Sequence, residues 1–281
     1  MTDTDREVIF SIVLVNYNSG SLLKDCLASI FENLTASFEI IVYDNASTDD
    51  SVLKVRAAFP SDFRIRIIEG NVNLGFAKAN NLGAQGSNGR YLHFLNPDII
   101  VNNSLSDDYL RIQNGPSDTV YVTSLADQTG KPTKNRHVIP TLNNFYNLIL
   151  NSKKVIYWNI GASLIISRES FRNLGGWPED YFMYAEDIDI FYRIQKQGMP
   201  VCYLDTRLIH IGQGTTRNLW DDRERALRVE RSFLKFYRKY GMGWQYYLIR
   251  PVLLVFILFH EPERFLLQLK TYLRIVFSKD Q

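Results

Sequence analysis

The first hundred residues leave this chain few ways to fold. Four short runs rich in β-branched and aromatic residues recur along them: Val8–Val15 (VIFSIVLV), Phe38–Asp44 (FEIIVYD), Arg64–Glu69 (RIRIIE) and Tyr91–Leu95 (YLHFL). The first is apolar almost without a break, the pattern of a strand buried on both faces. Helical spacing fills the gaps. Ser21 is placed to cap a helix on which Leu23, Leu27, Ile30 and Phe31 share a side. Ser47 or Asp49 is placed to cap a second helix running to Phe59, and Gly75–Gln85 forms a third. This alternation predicts an α/β fold with a single Rossmann-like, mostly parallel sheet and helices on both faces.

Sheets of this type bind ligands beyond the carboxyl ends of their strands. Polar residues collect there: Asn16, Tyr17 and Asn18 after the first run, Asp44 and Asn45 after the second, Asn71 and Asn73 after the third, Asn96 and Asp98 after the fourth. Asn and Asp also form turns, but four polar strand ends on one rim predict a site. No G-x-G-x-x-G follows the first strand, so a dinucleotide cofactor is not expected. A bound diphosphate would then need another counter-charge, such as a metal on Asp98.

The remainder is less regular. Asp107–Lys154 is polar, and TGKPTKNRHVIPT (Thr129–Thr141) reads as an exposed loop and a mobile lid. Val155–Arg168 returns to a strand pattern, and a short helix breaks at Gly175-Gly176. Pro200–Asp205 and Arg207–Gly212 read as two short strands, and Asp221 can cap a basic helix through Tyr240. The stretch YFMYAEDIDIFYRI (Tyr181–Ile194) sets Glu186, Asp187 and Asp189 among aromatic and aliphatic neighbours. Carboxylates in such company are costly unless paired, although acids in a helix's first turn also favour its dipole.

Six blocks, in order, resemble the inverting family 2 glycosyltransferases of the GT-A fold: VLVNYNSGSLLKDCLASI, EIIVYDNASTDDS, NLGFAKANNLGA, YLHFLNPDIIV, NIGASLIISRESFRNLGGWPEDYFMYAEDIDIFYRI and LIHIGQGTT, spanning Ile9 to Thr216. The resemblance implies a catalytic domain over residues 1–220, with a donor-binding half to about residue 100 and an acceptor half after it. It implies Asp187 as general base, taking the proton of the acceptor hydroxyl as that oxygen attacks the anomeric carbon, with Glu186 beside it. Asp98 and His210 would hold Mg²⁺ or Mn²⁺ on the donor diphosphate. Asn96 stands where the D-x-D motif has its first aspartate, which removes one charge from that motif. Asn16, Tyr17, Asp44, Asn73, Gly75, Asn80, Asn96 and Trp177 would meet the nucleotide-sugar donor, Asp44 through the pyrimidine N–H. The NPD and NLGFAKANN blocks look most like the rhamnosyltransferase branch and favour dTDP-rhamnose; UDP-galactofuranose and UDP-hexoses are the alternatives. A nucleotide-sugar binding protein without catalysis, or a scaffold in a polysaccharide assembly, is the reading of a different class.

Charge and tail add a location. The net charge is +2 over 281 residues, which gives no argument for nucleic acid. From Arg223 onward, however, 12 lysines and arginines face 5 acids, leaving the rest of the chain acidic on balance. In this basic tail, 221–281, Val252–Phe259 is too short to span a bilayer. Leu266, Leu269, Leu273 and Val276 share one helical side, with Arg264, Lys270 and Arg274 nearer water. That pattern predicts an interfacial helix on anionic lipid, which suits a lipid-linked acceptor; packing against a second subunit is the other expectation. The acidic N-terminus lacks a basic, apolar leader, and Cys26 and Cys202 read as buried reduced thiols. The expected place is therefore the cytoplasm, peripheral to the inner face of the membrane, for an enzyme of surface polysaccharide or O-antigen synthesis.

Overall fold

The expected parallel half forms as a unit. In a computed structural model describing residues 8–212 and 220–277, strands β1 (Phe10–Asn16), β2 (Phe38–Asp44), β3 (Ile65–Glu69) and β4 (Tyr91–Leu95) pair in parallel, in the order β3-β2-β1-β4. Helices α1 (Leu22–Asn33), α2 (Ser51–Ala58) and α3 (Phe76–Gln85) connect them. Successive residues of β1 point to opposite faces. Phe10, Ile12 and Leu14 enter a core with Leu23, Leu27 and Ile30 of α1, while Val13 enters another with Ala77 and Ala84 of α3. The start of α2 differs from expectation: Ser47 is occupied elsewhere, and Asp49 accepts from the Ser51 N–H at 3.1 Å but lies one residue before the cap position. Ser47 Oγ accepts from Asn16 Nδ2 and the Asn18 N–H, and Asp49 accepts from the Gly20 N–H at 2.7 Å. The helix starts behind Asp50 instead.

The second half extends the same sheet. It comprises β5 (Ile99–Ile100), α4 (Ser104–Gln113), β6 (Val120–Ala126), β7 (Arg136–Val138), α5 (Leu142–Ile149), β8 (Tyr157–Asn159), β9 (Ser163–Ser167), α6 (Arg168–Leu174), α7 (Glu186–Lys196) and β10 (Val201–His210). Strand β9 runs antiparallel between β4 and β6, β10 lies parallel to β6, and β5 pairs antiparallel with the end of β10. The result is one eight-stranded, mostly parallel sheet, β3-β2-β1-β4-β9-β6-β10-β5.

Three expectations are corrected here. The polar middle contains a strand near the centre of the sheet, and its loop, exposed over 129–134 as expected, is tied to the sheet at both ends. Asp127 accepts from the Thr129 and Lys131 N–H groups, Asn135 Nδ2 donates to Thr123 O, and β7 pairs with β8. The run Val155–Arg168 is two strands in different sheets, broken at Ile160–Ala162. The two strands expected after Pro200 are one, bulged between Tyr203 and Arg207.

The tail folds into three helices, α8 (Asp222–Lys239), α9 (Gly243–His260) and α10 (Pro262–Phe277). Asp221 caps the first, accepting from the Glu224 N–H at 2.7 Å. Leu227, Leu234, Phe236, Tyr237, Tyr246, Ile249 and Ile275 join Tyr181, Ala185 and Ile188 in a third core, so the tail packs directly onto the acidic corner before α7. Buried Glu230 pairs with Arg250 at 2.6 Å and binds the helices together. Helix α10 turns Thr271 and Ile275 inward and leaves Leu266, Leu273 and Phe277 exposed, as are Trp244, Leu248, Val252, Val255, Phe256 and Phe259 of α9. No described helix is long and apolar enough to cross a membrane. Both cysteines are free; Cys26 is buried as expected, but Cys202 is exposed, near the start of β10, which β5 flanks only at its far end.

Candidate active site

A cavity of about 300 Å³ opens at the carboxyl ends of β1 and β4. Residues far apart in sequence line it: Tyr17, Asn45 and Asn73 on one side, Asn96, Asp98 and His210 on another, Gly161, Tyr184, Glu186 and Asp187 on a third.

The Asp98–His210 corner is built by strand pairing. Ile99 and His210 are register partners across the β5–β10 ladder, and the Ile211 N–H donates to Asp98 O. This seats His210 Nε2 3.2 Å from Asp98 Oδ1, the carboxylate itself buried. Among the described residues no third His, Cys, Asp or Glu converges there. Two ligands do not make a self-contained metal site. They do fit Mg²⁺ or Mn²⁺ completed by waters and substrate phosphates, the usual manner of binding for these ions at nucleotides.

Opposite lies the acidic pair at the start of α7. The preceding residues Tyr184 and Ala185 both take left-handed backbone, φ +71° and +66°, which turns the chain sharply into the helix. Asp187 is half-buried at the cavity wall, and the Ile188 N–H donates to its Oδ1 at 2.9 Å. Burial pushes the Asp187 carboxyl up to about 7, against the pull of the Ile188 and Gly161 N–H groups. Burial and then the Asp187 charge raise Glu186 well above the usual carboxylate range. Glu186 Oε2 is buried without a hydrogen-bond partner, an acceptor that a ligand hydroxyl would satisfy. A carboxyl near neutrality is suited to taking a proton.

The rim beyond β2 and β3 is held by amides. Asn45 Nδ2 donates to Asn73 Oδ1 at 2.9 Å, Asn45 Oδ1 accepts from the Leu74 N–H, and Asn73 Oδ1 accepts from the Gly75 N–H. Gly75 has φ +80°, and a Cβ there would overlap the Phe182 carbonyl, to which the Phe76 N–H donates. The rim and the acidic segment therefore touch at this glycine.

Several expected donor residues lie elsewhere. Asn16 is buried beneath the rim, donating from Nδ2 to Asp44 Oδ1 at 2.6 Å and to Ser51 Oγ. Asp44 also accepts from the Ser47 N–H and does not line the cavity. Asn80 is buried and bonds Phe76 O within its own helix. Trp177 is 1% exposed, set edge-on to Phe76 and Phe94, so its ring cannot stack on a sugar in this conformation. It lies behind the wall: a Cβ on Gly161 would sit 3.2 Å from that ring and 3.5 Å from Asp187 Cβ. Gly161, Met183 and Tyr184 line the cavity without having been singled out from sequence. Gly161 is defined by the absence of a side chain, and no charge or motif distinguishes the other two.

A family profile described as Glycosyl transferase family 2 matches residues 11–175, more than half of the chain. The chain belongs to that family. A second profile, described as the N-terminal domain of galactosyltransferase, matches residues 149–215. Among curated relatives, the Mycobacterium tuberculosis N-acetylglucosaminyl-diphospho-decaprenol L-rhamnosyltransferase is 24% identical over 75% of this chain and 78% of its own length. The Escherichia coli rhamnosyltransferase WbbL is 26% identical over 70% and 83%. The Streptococcus pneumoniae glycosyltransferase GlyG is 30% identical over 40% of this chain, and there the chain spans only 38% of the relative. Among solved structures, the mannosyltransferase PcManGT from Pyrobaculum calidifontis, in complex with GDP-Man and Mn²⁺, aligns with a TM-score of 0.61 at 17% identity over 98% of this chain and 89% of its own. S. aureus TarS 1–349 with UDP-GlcNAc aligns with a TM-score of 0.58 at 18% identity over 80% and 65%. These neighbours share the fold.

Proposed function

We propose that this protein is a metal-assisted inverting glycosyltransferase, with L-rhamnose from dTDP-rhamnose as first-choice donor and a saccharide or lipid-linked saccharide as acceptor, acting in surface polysaccharide synthesis. One observation carries the reading: Asp187, raised towards neutrality, lines the same 300 Å³ cavity as the Asp98–His210 pair. In a single displacement the acceptor oxygen bonds to the anomeric carbon as the bond to the leaving phosphate breaks, and Asp187 takes the hydroxyl proton. Glu186 accepts from a sugar hydroxyl through its open Oε2. Asp98 and His210 would hold the cation, which supplies positive charge to the departing diphosphate. Tyr17, Asn73, Gly75 and Asn96 would form the donor rim, while Asn16 and Asp44 support it from behind; a direct bond from Asp44 to the base would require that carboxylate to be shared with Asn16.

The relatives named for rhamnosyl transfer support rhamnose, and one is named for a lipid-diphosphate acceptor. UDP-hexose or UDP-galactofuranose with the same chemistry is the alternative. The exposed apolar face of α9 and α10 supports a peripheral position on the inner face of the membrane. Calorimetric titration with dTDP-rhamnose and UDP-sugars, with and without Mn²⁺, tests the assignment. Metal-dependent binding of one donor supports it. Absence of binding for every donor overturns the donor site.

A further inference from the structure

The acidic pair depends on a turn that its own residues do not favour. Tyr184 and Ala185 are consecutive non-glycine residues in the left-handed region, a conformation that persists only where surrounding contacts impose it. Those contacts come largely from α8 and from Tyr240, the residue that ends it. Ser232 Oγ donates to Met183 O at 3.1 Å, and Lys235 Nζ donates to Asp180 O. Lys239 Nζ pairs with Asp180 at 2.6 Å and with Asp189 at 2.9 Å, and the Tyr240 hydroxyl donates to Asp189 Oδ1 at 2.8 Å.

Asp189 is the junction. It is 0% exposed, in the first turn of α7, two residues beyond Asp187. Locally it is already served: the Tyr181 hydroxyl donates to Oδ2 at 2.9 Å, and Arg193 pairs with Oδ1 at 3.0 Å. Arg193 in turn donates to Leu174 O and Gly176 O, anchoring the far side of α7. The two donors from the tail are thus additional to a carboxylate that its own segment partners. What they add is a direction, because they fix the turn of α7 relative to a helix some fifty residues later.

We propose that α8 is a positioning element of the reaction: Lys239 and Tyr240, acting through Asp189, hold the left-handed corner that turns Glu186 and Asp187 into the cavity. The inference rests on Asp187 being the general base. It makes the C-terminal region part of the catalytic apparatus, independent of any attachment role.

The test compares Lys239→Met/Tyr240→Phe, Tyr240→Phe alone, Lys239→Arg and Asp187→Asn in the full chain. Turnover is followed as nucleotide release from whichever donor binds in the titration above. The expected result for the double variant is a kcat lowered about 10- to 100-fold, as for a modest misplacement of a reacting group. Donor affinity by calorimetry and donor KM stay unchanged, and Lys239→Arg retains most of kcat. A double variant that melts earlier but keeps the parent kcat per folded molecule overturns the proposal. Should the double variant fail to fold, Tyr240→Phe, which removes only one hydroxyl, carries the same comparison. An inactive Asp187→Asn beside fully active α8 variants refutes the positioning role alone, whereas a fully active Asp187→Asn removes the base on which it rests.

Discussion

Asp187 meets two opposed demands. Its carboxyl, raised from 3.8 to about 7 by burial, is neutral at acidic pH and ionises only at a cost. The native state therefore holds this proton more tightly than the unfolded chain does. The resulting stability is fully present below the unfolded value near 3.8 and is lost as pH rises through about 7. The proposed role as general base needs the ionised form and so falls where the group costs most. Asp187→Asn is expected to lower kcat by about 10²- to 10⁴-fold while raising the melting temperature at pH 8 and raising it distinctly less at pH 5, where only part of that stability has been lost. Melts at the two pH values beside turnover measurements check both halves, and an equal shift at both would argue against a buried ionisation cost. Gly75 sets a different constraint at the same scale. With φ +80° and the Phe182 carbonyl against its α-carbon, Gly75→Ala is expected to cost at least about 1–3 kcal/mol in urea unfolding. It should also raise the donor KM, because the 182–187 segment must move.

Among the elements, the shortest strand has the most specific task. β5 contributes only Ile99 and Ile100 to the sheet, yet its pairing with β10 places His210 beside Asp98. Ile100→Pro removes a ladder N–H and disfavours the register. The expected outcome is loss of the Mn²⁺ enhancement of donor affinity in calorimetry with little change in melting temperature; an unchanged enhancement would show that the pair does not need the ladder. Such a two-residue strand is not legible in sequence. β1, β2 and β4 were, because strands covered on both sides leave unbroken apolar runs. β6 was lost because buried Thr123 and half-buried Ser124 interrupt its pattern inside a polar region. β8 and β9 merged because only Gly161 marks the break between them. In the site, Asp98 stood out as an acid at a strand end and Glu186 and Asp187 as acids in apolar company, whereas His210, in an apolar strand, was marked only by the resemblance to family 2. Tyr184 did not stand out, since its contribution is a backbone angle, and Trp177 was misplaced because burial of an aromatic beside a site cannot be told from exposure in it.

For the whole molecule, the outward face of the tail is the feature that the catalytic core leaves unexplained. Trp244, Leu248, Val252, Val255, Phe256 and Phe259 are exposed along α9, and Lys270 and Arg274 are exposed on α10 with Leu273. Cosedimentation with vesicles is expected to be strong with anionic lipid, weaker with neutral lipid, and reduced by salt, each cation contributing roughly 1 kcal/mol near such a surface. Val252→Glu and Phe259→Glu together should abolish pelleting without changing nucleotide release on a water-soluble acceptor. If pelleting persists, the face serves another partner.

The order of strands also bears on synthesis. β9 lies between β4 and β6, and β5 finds its partner only in β10. As the chain leaves the ribosome, the parallel half emerges first with one edge of β4 open until Ser163–Ser167 has been made. The Asp98–His210 corner cannot close until His210 follows. An exposed strand edge held in waiting is a point at which nascent chains associate wrongly, so ribosomal pauses inside the intervening segment would be expected to lower the yield of folded protein more than pauses in the tail.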